Sequence, residues 1–215
     1  MRPERRSADT REKILEVAER EFARDGYAGA HLQHIAGQVG VQKTALYYYY
    51  PSKAALYEAV LARMLEAFDL TLTEAIDAPG DPAERLERLL DALNDLLAER
   101  RNYSRILIRI FVDRAPVPGD TLGPIIERVV GRMLRFYREG IDAGVFAKLS
   151  PRHLFQTLLG ATVFHYATVS FGAAVLDVED IFTSSAVAWR RDEVRRFVLR
   201  AVLSGSREHP AAAAS

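Results

Sequence analysis

Cysteine is absent from the 215 residues. That excludes a disulfide scaffold and thiolate metal sites, and it fits a cytoplasmic protein. Long apolar runs are missing too. Nothing approaches the roughly 20 residues that span a bilayer, so no membrane partner is expected. The opening MRPERRSADTREK holds no apolar core of the kind a secretory signal needs. The 29 basic and 29 acidic side chains cancel, so affinity for a polyanion has to come from a local patch. There is no Gly-rich phosphate loop, nucleophile elbow or metal-ligand histidine pair on a helix. No catalytic residue, metal or cofactor is therefore expected, and the chain is read as not being an enzyme. One local absence is sharper. From Gly26 to Lys53 there is no Asp or Glu, although acids are frequent on both sides. A surface meant for phosphate cannot carry carboxylates without repelling it.

The residues inside that acid-free window form a pattern. Leu32, Ile35, Ala36 and Val39 fall at i, i+3, i+4 and i+7, one apolar stripe of a short helix. Gly40 ends it, because glycine takes the left-handed backbone that a C-terminal cap needs. Gln42 to Tyr49 form a second helix with Leu46 and Tyr50 facing inward. Pro51 separates it from the next helix, which Ser52 caps. Two short helices joined by a glycine turn make a helix-turn-helix, whose second helix lies in the DNA major groove. Successive helical residues are about 100° apart, so the run Tyr47 to Tyr50 cannot share one face. Tyr50 is placed inward, Tyr49 at the edge, and Tyr47 and Tyr48 outward towards sugar and phosphate.

The order Thr10-Arg-Glu-Lys-Ile-Leu, Phe22-Ala-Arg-Asp-Gly-Tyr27, Ile35-Ala36, Gly40-Val41-x-Lys43-x-x-Leu46-Tyr47 and Pro51-Ser52-Lys53 resembles the tetracycline-repressor (TetR) family of bacterial transcription regulators. The likeness runs from Thr10 to Val60. It implies DNA contact at His31, Gln42, Lys43, Thr44, Tyr47, Tyr48 and Lys53. Two places depart from the family pattern. Ala30 and His31 stand where Thr or Ser is usual, which leaves the His31 ring to cap the helix and meet phosphate. Gln42, Thr44 and Ala45 replace Ser, Gly and Thr on the reading helix, which changes the expected operator. Gln42 suits an adenine edge and Lys43 a guanine or a phosphate. His31 and His34 lie at i, i+3, but no third ligand is near, so both are read as facing solvent or phosphate.

The fold class expected is all-α. A three-helix, N-terminal helix-turn-helix DNA-binding domain (10–53) follows a flexible arm (1–9) that carries Arg2, Arg5 and Arg6. A helical effector-binding and dimerisation domain (54–204) comes next, then a disordered tail (205–215). The first helix is placed at Thr10 to Asp25, with Ile14, Leu15, Ala18 and Phe22 inside and Glu12, Glu16, Glu19 and Arg20 outside. Further helices are placed at Lys53 to Ala78, from Pro82 to Arg100 behind an Asp81 cap, and at Asn102 to Val112. After a loop at Ala115 to Asp120, others run from Leu122 to Ala143, from Ser150-Pro151 to Phe171, and from Arg191 to Leu203, with a loop at Gly172 to Asp180.

The resemblance implies that Ser150 to Phe171 and Arg191 to Leu203 pack against their copies in a homodimer. It also implies that the middle helices enclose a pocket for a small apolar or amphipathic effector. Candidate lining residues are Phe68, Tyr103, Phe111, Tyr137, Phe164 and His165. The function expected is a transcriptional repressor on a palindromic operator, released by that effector. Two other readings stay open: a constitutive or architectural DNA binder with a filled core, and a helical enzyme or carrier with a vestigial helix-turn-helix.

Overall fold

A computed structural model describes residues 3–112 and 119–203, and within them the chain forms helices only. They are α1 (Pro3–Gly29), α2 (Leu32–Val39), α3 (Lys43–Tyr49), α4 (Lys53–Ile76), α5 (Pro82–Glu99), α6 (Arg101–Val112), α7 (Gly119–Asp142), α8 (Pro151–Ala167), α9 (Val169–Leu176) and α10 (Ser184–Val202). An isolated antiparallel bridge pairs Phe146 with Leu203. Among the described residues no single helix is long and apolar enough to cross a membrane. The α8–α9 pair reaches that composition together but is bent by 92°.

Local chemistry sets most boundaries. Ser52 caps α4 by accepting from the Ala55 amide at 3.0 Å. Asp81 accepts from the amides of Ala83 and Glu84, and Glu84 reaches back to the Asp81 amide, a full capping box with Pro82 in the first turn. Several boundaries differ from the sequence reading. Helix α1 begins at Pro3 rather than Thr10, since a proline in the first turn has no helical hydrogen bond to lose. Helix α8 stops at Ala167, and the stretch read as a loop from Gly172 is helical through Leu176. The break falls at Thr168, whose backbone is non-helical (φ −109°, ψ 57°) and whose hydroxyl donates to the Phe164 carbonyl at 2.8 Å. Helix α10 starts at Ser184, seven residues before Arg191, because the Thr183 hydroxyl caps it by accepting from Ala186. Ser150 precedes α8 without a side-chain cap bond. Of the expected loop at Ala115 to Asp120, residues 119 and 120 open α7, and the remainder lies outside the described residues, as do Met1, Arg2 and the tail from 205.

Two buried clusters meet along α4. The first joins Ile14, Ala18 and Phe22 of α1 and Ile35 and Leu46 of the helix-turn-helix to Leu56, Val60 and Met64 of α4, then to Ile106 of α6 and Tyr166 of α8. The second joins Leu72 and Ile76 of α4 to Leu86 and Leu89 of α5, Phe136 and Tyr137 of α7, and Val194 and Val198 of α10. Each fully buried Leu, Ile or Phe contributes about 1.5–3 kcal/mol, so α4 is held from both sides.

A polar lattice crosses the first cluster. Glu19, expected on the outside of α1, is buried. The Arg63 guanidinium of α4 donates to it at 2.6 Å and the Asn102 amide of α6 at 3.0 Å, while a second Arg63 nitrogen reaches Glu12 at 2.6 Å. A buried carboxylate needs such partners, and here they come from two other helices. Arg109 of α6 donates to the carbonyls of Ala23 (3.0 Å) and Arg24 at the end of α1. Those carbonyls need outside donors because the backbone breaks at Gly26 (φ 71°, ψ 178°).

Candidate nucleic-acid interface and ligand cavity

Helices α2 and α3 are joined at Gly40, which takes the left-handed conformation (φ 81°, ψ 29°) and donates to the carbonyls of Ala36 and Gly37. Leu46 and Tyr50 are buried beneath α3. Arg11 of α1 donates to the Tyr50 hydroxyl at 3.3 Å and lies over its ring. With the inner face so anchored, Gln42, Lys43, Thr44, Tyr47 and Tyr48 are exposed on the other side. Tyr48 is more open than Tyr47, at 82% against 41%, and stacks edge-on against Tyr49. The Lys43 ammonium stands over the Tyr47 ring. Gln42 occupies the N-cap position of α3 without using its side chain there, so its amide is exposed and uncommitted to the helix.

Helix α3 stands as a ridge between two shallow depressions. One is lined by His31, Lys43, Tyr47, Ser52 and Lys53, the other by Ser7, Arg11, Tyr48 and Tyr49. The first thus sets two lysines and a histidine beside one tyrosine, and the second one arginine beside two tyrosines. Arg11 went unnoticed in the sequence, since only folding brings the start of α1 to the end of α3. Lys53 is less free than its spacing implies. Its ammonium donates to the Ala28 carbonyl at 3.0 Å and sits over the Tyr27 ring. Burial there pushes its pKa down.

The two histidines of α2 separate in role. His31 is exposed at the N-cap and makes no side-chain cap bond, which corrects the expectation that its ring would cap the helix. Ala30 behind it is buried, so a packed methyl fills the place where a hydroxyl was looked for. His34 is exposed, as expected, but its ring is engaged on one side. Its Nδ1 lies 2.7 Å from the carboxylate of Glu21, which is only 2% exposed and also accepts from Gln38 at 3.0 Å and Arg24 at 2.8 Å. The buried Glu21 carboxylate is thereby drawn away from the exposed face, while Asp25, the last acid before the gap, pairs with Arg24 at 2.8 Å. No group of three metal-ligating side chains occurs among the described residues.

Residues 14–60, from the middle of α1 to the first turns of α4, match the family described as bacterial regulatory proteins, tetR family. The chain belongs to the TetR family. RutR of Escherichia coli K12, an HTH-type transcriptional regulator, is 29% identical over 154 residues, 72% of each chain. Two solved TetR-fold structures superpose on nearly the whole length. The ketosteroid transcriptional regulator KstR2 of Mycobacterium tuberculosis has TM-score 0.71 and 18% identity, covering 90% of this chain and 94% of that one. AibR, in complex with isovaleryl coenzyme A and operator DNA, has TM-score 0.69 and 20% identity, covering 87% and 97%. The protein is a TetR-family transcriptional regulator, and the relatives are regulators rather than enzymes.

Behind the DNA-binding head of this TetR-family chain, α4, α5, α6, α7 and α8 enclose a cavity of about 320 Å³. Every lining residue except Thr162 is Leu, Ile, Val, Met or Phe. Phe68 and Phe111 line it; Tyr103, Tyr137, Phe164 and His165 do not. Tyr103 is buried against Phe68 in the core. Tyr137 stacks on Phe146 and donates to the Ala147 carbonyl at 2.9 Å. Phe164 is half exposed on α8, against Phe171 of α9. His165 is buried edge-on against Tyr166, and burial, with Arg190 nearby, pushes its pKa down to about 4. Aromatic residue type alone pointed to these positions; the leucines that form most of the wall gave no sequence signal apart from the core.

Proposed function

We propose that this protein is a repressor that binds a palindromic operator as a homodimer and is released by a small apolar effector. The observation that carries the DNA half is the α3 ridge. Gln42, Thr44 and Lys43 would meet base edges, while His31, Tyr47 and Lys53 on one flank and Tyr48 on the other would meet the phosphates that border a major groove. Arg11 joins the second flank. The exposed amides at the start of α2 would add to the same contact.

A dimer is supported by exposed apolar residues on the last three helices: Phe164, Phe171, Val175, Trp189 and Phe197. Patches of that kind mark interaction surfaces. Two-fold symmetry would place two α3 helices about 34 Å apart, one helical turn of DNA. The effector half rests on the cavity, which a constitutive binder with a filled core would lack. Helix α6 offers the route for release. It lines the cavity through Leu107, Ile110 and Phe111, and it holds α1 through Arg109 and Asn102. A ligand that shifts α6 would shift the head and so favour a state unable to span two half-sites. We place this activity in the cytoplasm, with DNA, a second copy and the effector as partners.

Selection of bound fragments from genomic DNA at near-physiological salt tests the reading. A palindrome with half-sites one turn apart supports it. Binding without sequence preference would point to an architectural protein, and absence of binding would sink the proposal.

A further inference from the structure

The cavity's chemistry narrows its occupant. Thr162, its sole polar lining residue, spends its hydroxyl on the Leu158 carbonyl of its own helix at 2.8 Å. No cation lines it, and three arginines of the surrounding helices are paired with acids outside it: Arg128 with Asp69 at 2.6 Å, Arg132 with Asp77 at 3.1 Å, and Arg63 with the acids of α1. A carboxylate or phosphate placed inside would find no partner, and burying an unpaired charge is prohibitive. Size sets a second limit. An apolar cavity of ~150 Å³ takes one benzene, so about 320 Å³ has room for roughly ten to twelve carbons. The mouth is marked by Phe111 of α6 (60% exposed) and Ile126 of α7, the most exposed of the lining residues.

We infer that this cavity takes a single uncharged hydrocarbon chain of about ten to twelve carbons, seated tail-first, with any polar end left at the Phe111–Ile126 mouth. That filling it releases DNA rests on the regulator reading above; the binding itself does not.

Calorimetric titration of the intact protein without DNA, using primary alcohols from hexanol to tetradecanol, tests the inference. Affinity should rise about fourfold per methylene and stop rising near decanol to dodecanol. The diol of the same length, with a hydroxyl at each end, should bind at least tenfold more weakly, because the inner hydroxyl has no partner. Val129→Trp, which fills the cavity, should lose decanol binding while keeping the helical circular-dichroism signal of the wild-type protein. Should that variant not fold, Met133→Lys provides a separate check: it should bind decanedioate, which the wild-type protein should not. Equal affinity for alcohol and diol would overturn the inference. So would failure of every alcohol to bind a protein that still binds its operator. Chain binding by a protein that binds no specific DNA would instead support the inference and remove the regulator reading.

Discussion

Between Gly26 and Lys53 the chain carries no carboxylate and turns polar side chains outward over a small core. Around the cavity it carries one hydroxyl and turns apolar side chains inward over a space. The first region comes from consecutive residues, so its chemistry is concentrated and local. The second takes single residues from five helices between Leu61 and Val163, so its chemistry exists only once those helices pack. One region presents polar and basic groups to a charged polymer of fixed shape, and the other walls an apolar space. The difference teaches where specificity resides in each: in named side chains on the ridge, and in volume and the lack of partners in the cavity.

If that division is real, the largest effect should come from the lattice that joins the two regions. Arg63→Ala would leave Glu19 buried with Asn102 alone, and should cost about 3 kcal/mol of stability. Thermal unfolding reads it; a loss under about 1 kcal/mol would mean the lattice is ornamental. Next is a pH effect confined to the effector half. His165 is ordinary when unfolded, near 6.5, and held down to about 4 when folded. The unfolded chain therefore binds the proton first, and stability present above pH 6.5 is lost as pH falls towards 4. Between pH 7 and 5 the loss should be about 2 kcal/mol. His165→Phe should flatten that stretch of the stability profile, and an unchanged slope would show that another group titrates there.

The ridge predictions are smaller and sharper. Gln42→Ala should cost about 1–3 kcal/mol of discrimination at one base pair per half-site and little elsewhere, as read by binding to a panel of operator variants. Uniform weakening across the panel would make Gln42 a backbone contact. Smallest is a contrast between two lysines. Lys43→Ala should reduce the salt dependence of DNA binding by about one counterion per head. Lys53→Ala should reduce it by less and lower the melting temperature instead, since Lys53 is tied to Tyr27 and Ala28. Equal salt slopes for the two variants would show that DNA pulls Lys53 off its tether.

Much of the first region was legible before folding, for a physical reason. Gly40, Leu46, Pro51 and Ser52 act on neighbours a few residues away, and helix period alone separates Tyr48 from Tyr50. What escaped was whatever depends on distant residues. Glu19 looked like a solvent-facing acid until Arg63 and Asn102 came against it. His34 looked free until Glu21 turned towards it, and Lys53 looked free until Ala28 and Tyr27 did. Arg11 had no assigned role until α1 brought it beside Tyr49. In the second half, the Asp81 capping box was plain in the sequence. The break at Thr168 was not, because a threonine in an apolar run is compatible with a continuous helix. The cavity wall was the least legible of all, since a leucine beside a void and a leucine in a filled core have the same sequence pattern.

The anchoring of α1 bears on any attempt to exchange DNA-reading heads between regulators of this kind. A graft made at the Pro51 turn would carry Glu19 and the Ala23 and Arg24 carbonyls into a body lacking Arg63, Asn102 and Arg109 at matching positions. The hybrid would keep its reading residues and lose the ties that hold the head rigidly to the body. A graft that takes the three body residues along with the head should keep both, which makes the unit of inheritance a head with its sockets rather than a head alone.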